Sequence, residues 1–189
     1  MTCGTQGEID TTPPRELISD LVSLPFPACD LLDMNQYGRE SRHYPGLVSV
    51  EHSRGCIDSC SFCILWKYMG RQPEDSAHVK PGYRTLSPQR SFDTASRLYQ
   101  DFDRRTFGRV DLTLNASPRW SDEWTDLMLR SKLVGRDGRL RALHTAWMQD
   151  DCALRDDKLG VLEKLVRAGL RQVIIGVGRV DGAKGGGES

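Results

Sequence analysis

Short apolar runs alternate along this chain with longer stretches in which apolar residues return every three or four positions. Leu47-Val48-Ser49-Val50 reads as a first strand. Beyond a polar connection holding Pro73, Pro81 and Gly82, Ser87-Pro88 marks a helix start, with serine as N-cap and proline at the first helical position. Phe92, Ala95, Leu98, Tyr99 and Phe102 then recur at helical steps, and Gly108 is expected to end that helix. Val110 to Asn115 alternates as a second strand. Ser121 caps the next helix, whose inner face is Trp124, Leu127, Met128 and Val134, before a turn at Asp137-Gly138. Leu140 to Trp147 gives a third strand. Leu159, Leu162, Leu165 and Val166 stripe a helix that Gly169 stops. Val173 to Val177 is the last strand, apolar enough to be covered on both faces.

Strands that alternate with helices, joined by right-handed crossovers, make a parallel α/β sheet and, in a curved version, a partial barrel. The expected division is an N-terminal extension and linker over 1–46, containing Pro25, Pro27 and Pro45, a core over 47–178, and a glycine-rich tail over 179–189. A chain of 189 residues suits one domain. Its 26 basic and 26 acidic residues balance, so charge gives no reason to expect nucleic acid or an anionic membrane. No apolar run approaches the roughly 20 residues of a spanning helix, and the expectation is a soluble, cytoplasmic protein.

The chemistry concentrates in Ser53-Arg54-Gly55-Cys56-Ile57-Asp58-Ser59-Cys60-Ser61-Phe62-Cys63. This C-x3-C-x2-C spacing directly follows the first strand. A loop so short is expected to turn all three thiolates toward one face of a metal cluster. Three thiolates on a four-iron cluster leave one iron open to bind a substrate. Zinc is a poorer fit, since its fourth ligand would be His52, Cys29 or Cys152, none at a usual zinc spacing. A disulfide framework fits poorly too, because the chain opens on no apolar signal segment. Cys3, Cys29 and Cys152 are isolated and carry no assigned role.

The cysteine loop, with Phe62 ahead of its last cysteine, resembles the radical S-adenosylmethionine superfamily. The Ser-Arg-Gly-Cys lead-in, and Leu24-Pro25-Phe26-Pro27-Ala28-Cys29-Asp30-Leu31-Leu32 upstream, are similar to the branch that often follows a cobalamin-binding domain. The resemblance implies a [4Fe–4S] cluster on Cys56, Cys60 and Cys63, with S-adenosylmethionine cleaved reductively to start radical chemistry on an unknown substrate. It implies a reductant such as a flavodoxin or ferredoxin, and cobalamin only through a domain this chain does not hold.

In a parallel barrel the site lies at the carboxyl ends of the strands. That rule collects the cysteine loop, Asn115-Ala116-Ser117, Met148-Gln149-Asp150 and Gly176-Val177-Gly178. By the resemblance, Phe62 packs near the adenine, while Asn115, Ser117 and Gly176 border the cofactor. Ser117 also fits a plain polar cap. Gly178 stands where that branch commonly has glutamate. Trp147 reads as core or barrel wall, and His144 as a structural histidine. The resemblance covers residues 24–179 and stops at the fourth of six strand–helix units, so the chain is expected to be a fragment: an enzyme's front part or a non-catalytic iron–sulfur or zinc-binding remnant.

Overall fold

The computed structural model describes residues 2–3, 9–10, 15–38, 44, 46–70, 79–133 and 141–176. Expectations placed on Pro45, Pro73, Val134, Asp137-Gly138, Leu140 and residues 177–189, Gly178 included, lie outside them. At the centre is a four-stranded sheet of β1 (Leu47–Val50), β2 (Thr106–Arg109), β3 (Leu143–Met148) and β4 (Leu170–Ile175). Every neighbouring pair is parallel, and the strands lie in chain order. The α/β class with a parallel sheet is therefore present.

Between β1 and β2 come the short α1 (Leu65–Tyr68) and α2 (Pro88–Phe102). The β2–β3 connection carries α3 (Pro118–Arg130), and the β3–β4 connection carries α4 (Asp150–Lys158) and α5 (Val161–Arg167). Right-handed crossovers that always advance to the next strand put their helices on one side of the sheet. Accordingly α2 packs on α3, and α3 on α5. The core lies between these helices and the sheet. Phe107, Trp124, Met128 and Leu165 are closed off there from water.

Several boundaries differ from expectation. The second strand is Thr106–Arg109, so Val110 to Asn115 belongs to the loop beyond it. Gly108 sits inside that strand; a β-carbon there would come within 3.3 Å of the Leu47 side chain across the ladder. Helix α2 stops at Asp103 instead, a left-handed residue with φ of 51°, a conformation that a short polar side chain tolerates. Helix α3 begins four residues early: Ser117, not Ser121, is its N-cap, with the hydroxyl accepting from Trp120 N at 3.3 Å and Pro118 following. The expected last helix is two, broken at left-handed Gly160, which leaves Leu159 and Val166 exposed. The last strand begins three residues early and is an edge, with Val173 and Ile175 both exposed rather than covered.

Residues 21–36 form three single 3-10 turns strapped onto α2. Phe26 lies between the guanidinium groups of Arg90 and Arg97, at 3.2 and 3.8 Å from its ring centre. Arg90 also donates to Leu24 O at 2.7 Å, while Arg104 donates to Tyr37 O at 3.1 Å. The sheet face turned away from the helices holds Gly108, Thr145, Trp147, Gln172 and Ile174. Across it Tyr44, ahead of β1, donates to Gln172 of β4 at 2.7 Å. Among the described residues no helix is long and apolar enough to cross a membrane.

Candidate functional site

The carboxyl ends of β1, β2 and β3 are tied together by two buried polar junctions. The first is centred on Asp111, two residues past β2 and 3% exposed. Its Oδ1 accepts from His52 N at 2.8 Å, Ser53 N at 2.6 Å and the Ser53 hydroxyl at 3.0 Å. Its Oδ2 lies 2.5 Å from His52 Nδ1. Burial pulls the carboxyl upward, but the bonds and charge from His52 and Arg109 outweigh it, and it is held below the usual carboxylate range. Burial lowers His52, against the pull of Asp111. A neutral imidazole therefore lies beside an ionised carboxylate, and Trp120 packs on the imidazole at 4.4 Å.

Arg109, the last residue of β2, is also closed off from water. Burial brings its pKa down to about 10, which still leaves it charged at neutral pH beside Asp111. It donates to the Ser91 hydroxyl at 3.1 Å and lies over the Trp124 ring at 4.4 Å. Tyr83 is hydrogen-bonded to Ser53, and burial pushes its phenol up to about 12. Ser53–Arg54 pairs antiparallel with Arg84–Thr85. Left-handed Gly55, φ +88°, lets the Gly82 carbonyl come to where a β-carbon would stand, 1.6 Å away.

The second junction joins β2 to β3. Asn115 is fully buried; its amide donates to Gln149 O at 3.4 Å and accepts from Gln149 N at 3.3 Å and from the Thr113 hydroxyl at 2.8 Å. With its backbone so held, Gln149 extends its side chain to the cysteine loop. It donates to Asp58 at 2.7 Å, lies 4.0 Å from the Cys56 sulfur and accepts from the Cys152 thiol at 3.5 Å. Burial pushes both thiols up, so both are protonated at neutral pH. Arg155 closes the junction from α4, donating to Asn115 O at 2.5 Å and to the buried Asp156 at 2.9 Å. Glu51, Asp58, Asp150 and Asp151 make the exposed rim acidic.

A cavity of about 320 Å³ lies between the strap and β1. Its lining is mostly apolar, Leu21, Leu24, Val48, Val50 and Leu98 among it, and its Glu51 and Arg54 are paired with each other. It is separate from both junctions.

The cysteines do not meet as expected. Cys56 is turned toward Gln149, whereas Cys60 is exposed in a turn whose carbonyl accepts from Cys63 N at 3.1 Å and Trp66 Nε1 at 2.9 Å. Among the described residues no group of three or more His, Cys, Asp or Glu side chains is placed to hold a metal ion. Phe62 is 82% exposed. Asn115 lies at the site with its side chain already engaged, Ser117 is the α3 cap, and Gly176 ends the described chain, exposed, with open space where a side chain would stand. His144 is buried with neither ring nitrogen bonded, stacked on Phe107 at 5.2 Å and edge-on to Trp124 at 5.0 Å. Trp147, read as core or barrel wall, is 47% exposed on the open face. Asp111, Asp58 and Tyr83 carried no motif. The one signal for Asp111 was a carboxylate inside an alternating apolar run.

No family model matches the chain. It is 28% identical over 131 residues to an uncharacterized methyltransferase of Pyrococcus horikoshii, a match covering 69% of this chain and 25% of the relative. The chain thus spans about a quarter of the length of the curated relative it matches. Together with the scattered thiols, this overturns the radical S-adenosylmethionine reading: the relative's name points to methyl transfer, and Cys56, Cys60 and Cys63 form no site for a [4Fe–4S] cluster, nor for the iron or zinc of a remnant.

Proposed function

We infer that this chain binds S-adenosylmethionine at the carboxyl end of its parallel sheet and serves as the donor-binding part of a methyltransferase. The methyltransferase relative supports the reaction class. The observation that carries the placement is the Asn115–Gln149–Asp58 linkage, which fastens three strand-end loops into one rim. Bound there, S-adenosylmethionine supplies an electrophilic methyl group on a sulfonium carbon. The residues fit such a cation: the exposed carboxylates of Asp58, Asp150 and Asp151 set a negative potential along the rim. Gln149 orients Asp58, and Asn115 orients Gln149. Chain-order strands, with Tyr44 bridging to Gln172, fit a curved, barrel-like sheet whose strand ends face one mouth. The match to a longer relative is consistent with this reading.

Equilibrium dialysis of the purified chain with labelled S-adenosylmethionine tests it. Saturable one-to-one binding is expected, weakened several-fold in Asp58→Asn and salt-sensitive as a charge-assisted contact should be. No binding at millimolar ligand refutes it.

A further inference from the structure

Trp147 is the large side chain whose position the core does not explain. Along β3 the burial alternates: His144, Ala146 and Met148 face the helices and are closed off, while Leu143 and Thr145 are half-buried on the other face. Trp147 is the most exposed of this second set. Its strand partner on β4 is Ile174, half-buried, and two residues back Thr145 pairs with Gly108. The result is a shallow apolar floor under one side of an uncovered indole, at the carboxyl end of a central strand.

A second observation says what this floor takes. Gln149 lies two residues past Trp147 in extended backbone, with φ of −87° and ψ of 143°, so both side chains rise from the same face. Gln149 does not point away from the indole's side of the sheet; it carries the bond to Asp58. An apolar ring surface therefore adjoins a fixed amide and an exposed carboxylate. That pairing suits a ligand with a flat heteroaromatic ring at one end and hydroxyl or ammonium groups at the other. A purine nucleoside bearing a cationic tail is such a ligand, whereas an aliphatic chain would use the floor and leave the carboxylate unmatched.

We propose that Trp147 is the stacking platform for the adenine ring of S-adenosylmethionine, a positioning and affinity role that rests on the reading above. Stacking needs only the face of the base and tolerates any purine; recognition of the cationic tail falls to Asp58. Phe62, given the adenine contact by resemblance, stands 82% exposed in the cysteine loop and is not needed for this arrangement.

The tryptophans make the test specific. Trp66, Trp120 and Trp124 are 9%, 8% and 1% exposed, so only Trp147 presents its ring broadly to solvent. Acrylamide should quench one emitter in four in the free chain, and saturating S-adenosylmethionine or adenosine should protect it, whereas methionine alone should not. In dialysis Trp147→Leu should lose about ten-fold or more in affinity for both adenine ligands, while Trp147→Phe keeps most of it. Both variants should keep the wild-type urea midpoint, because the ring is not in the core. Equal binding by wild type and Trp147→Leu overturns this proposal and leaves donor binding standing. A tryptophan already shielded from acrylamide in the free chain also overturns it, because another part of the protein then covers the ring. If wild type binds neither S-adenosylmethionine nor adenosine, the donor-binding reading falls and this proposal falls with it.

Discussion

Replacing Asp111 by alanine removes the one acceptor that three donors share. The His52 and Ser53 amides and the Ser53 hydroxyl all donate to this carboxylate, with His52 Nδ1 beside it, in a place where His52 and Ser53 are themselves closed off from water. Each buried donor left without an acceptor costs about 1–3 kcal/mol, less where water enters the gap. Arg109 also loses the neighbouring charge that offsets its burial. Breaking a buried charged pair on one side typically costs about 3–5 kcal/mol, and that is the expected loss for Asp111→Ala. A domain this size holds about 5–15 kcal/mol in all, so the variant should sit near the edge of folding. Asp111→Asn keeps the size and one acceptor oxygen, so its loss should be smaller, about 1–3 kcal/mol. Urea unfolding followed by tryptophan emission reads both, with the midpoint moving and the slope constant. Melting should fall on the order of 10 °C for the alanine variant. Trypsin should cut after Arg54 in Asp111→Ala before the rest unfolds, since Asp111 holds the root of that loop. An alanine variant within about 1 kcal/mol of wild type would refute the reasoning.

Acid should weaken the fold early. His52 and His144 both titrate below the ordinary 6.5 in the folded chain, because burial disfavours their charged forms. The unfolded chain takes up those protons first, so stability is full above about pH 6.5 and declines below it, by up to about 1.4 kcal/mol per pH unit for each histidine. Asp111, held below the carboxylate range, adds a further loss only as pH falls under about 4. Urea midpoints at pH 7.5 and 5.5 measure this, and equal midpoints would count against it. In His144→Phe the slope should shrink while stability at pH 7.5 holds or rises, since neither ring nitrogen has a partner and both ring contacts suit an aromatic hydrocarbon. Gly55→Ala should displace the cysteine loop, costing at least about 1–2 kcal/mol from the left-handed backbone alone, before its clash with Gly82; unchanged amide exchange at Cys56 and Asp58 would contradict it.

The first strand, the opening of α2 and the chain-order alternation of strands and helices were legible because local chemistry decides them. Leu47–Val50 is apolar and short, and Ser87-Pro88 is a start signal with its own mechanism. The second strand was misplaced by four residues for a tertiary reason. Val110 to Asn115 has the better alternation, yet Thr106–Arg109 is what lies between β1 and β3, and Asp111 is drawn out of any ladder by the donors of His52 and Ser53. Ser117 and Ser121 offered two caps with equal local merit; Pro118 decides for the first. At the site, the rule that chemistry sits at strand ends placed Gln149 directly after its strand, while Asn115 lies six residues beyond the end of β2. It did not foresee that they would bind each other. The cysteine spacing was plain in the chain, but the direction of each thiol depends on a turn closed by Trp66 and on Gln149, which lies 93 residues beyond Cys56. The residue type of Trp147 did not separate core from wall; its surroundings set its exposure.

Strands laid down in chain order have a bearing on how the protein is made. As the polypeptide leaves the ribosome, each new strand meets an already waiting neighbour, and none has to be threaded between two others. Growth of the sheet can keep pace with synthesis, one strand–helix step at a time. Most pairings then close over modest lengths of chain, which favours rapid assembly. The bond from Tyr44 to Gln172, spanning 128 residues, is the exception and must wait for β4. On a stalled ribosome it would be absent until β4 has emerged, making that tyrosine hydroxyl a reporter of the moment β4 docks.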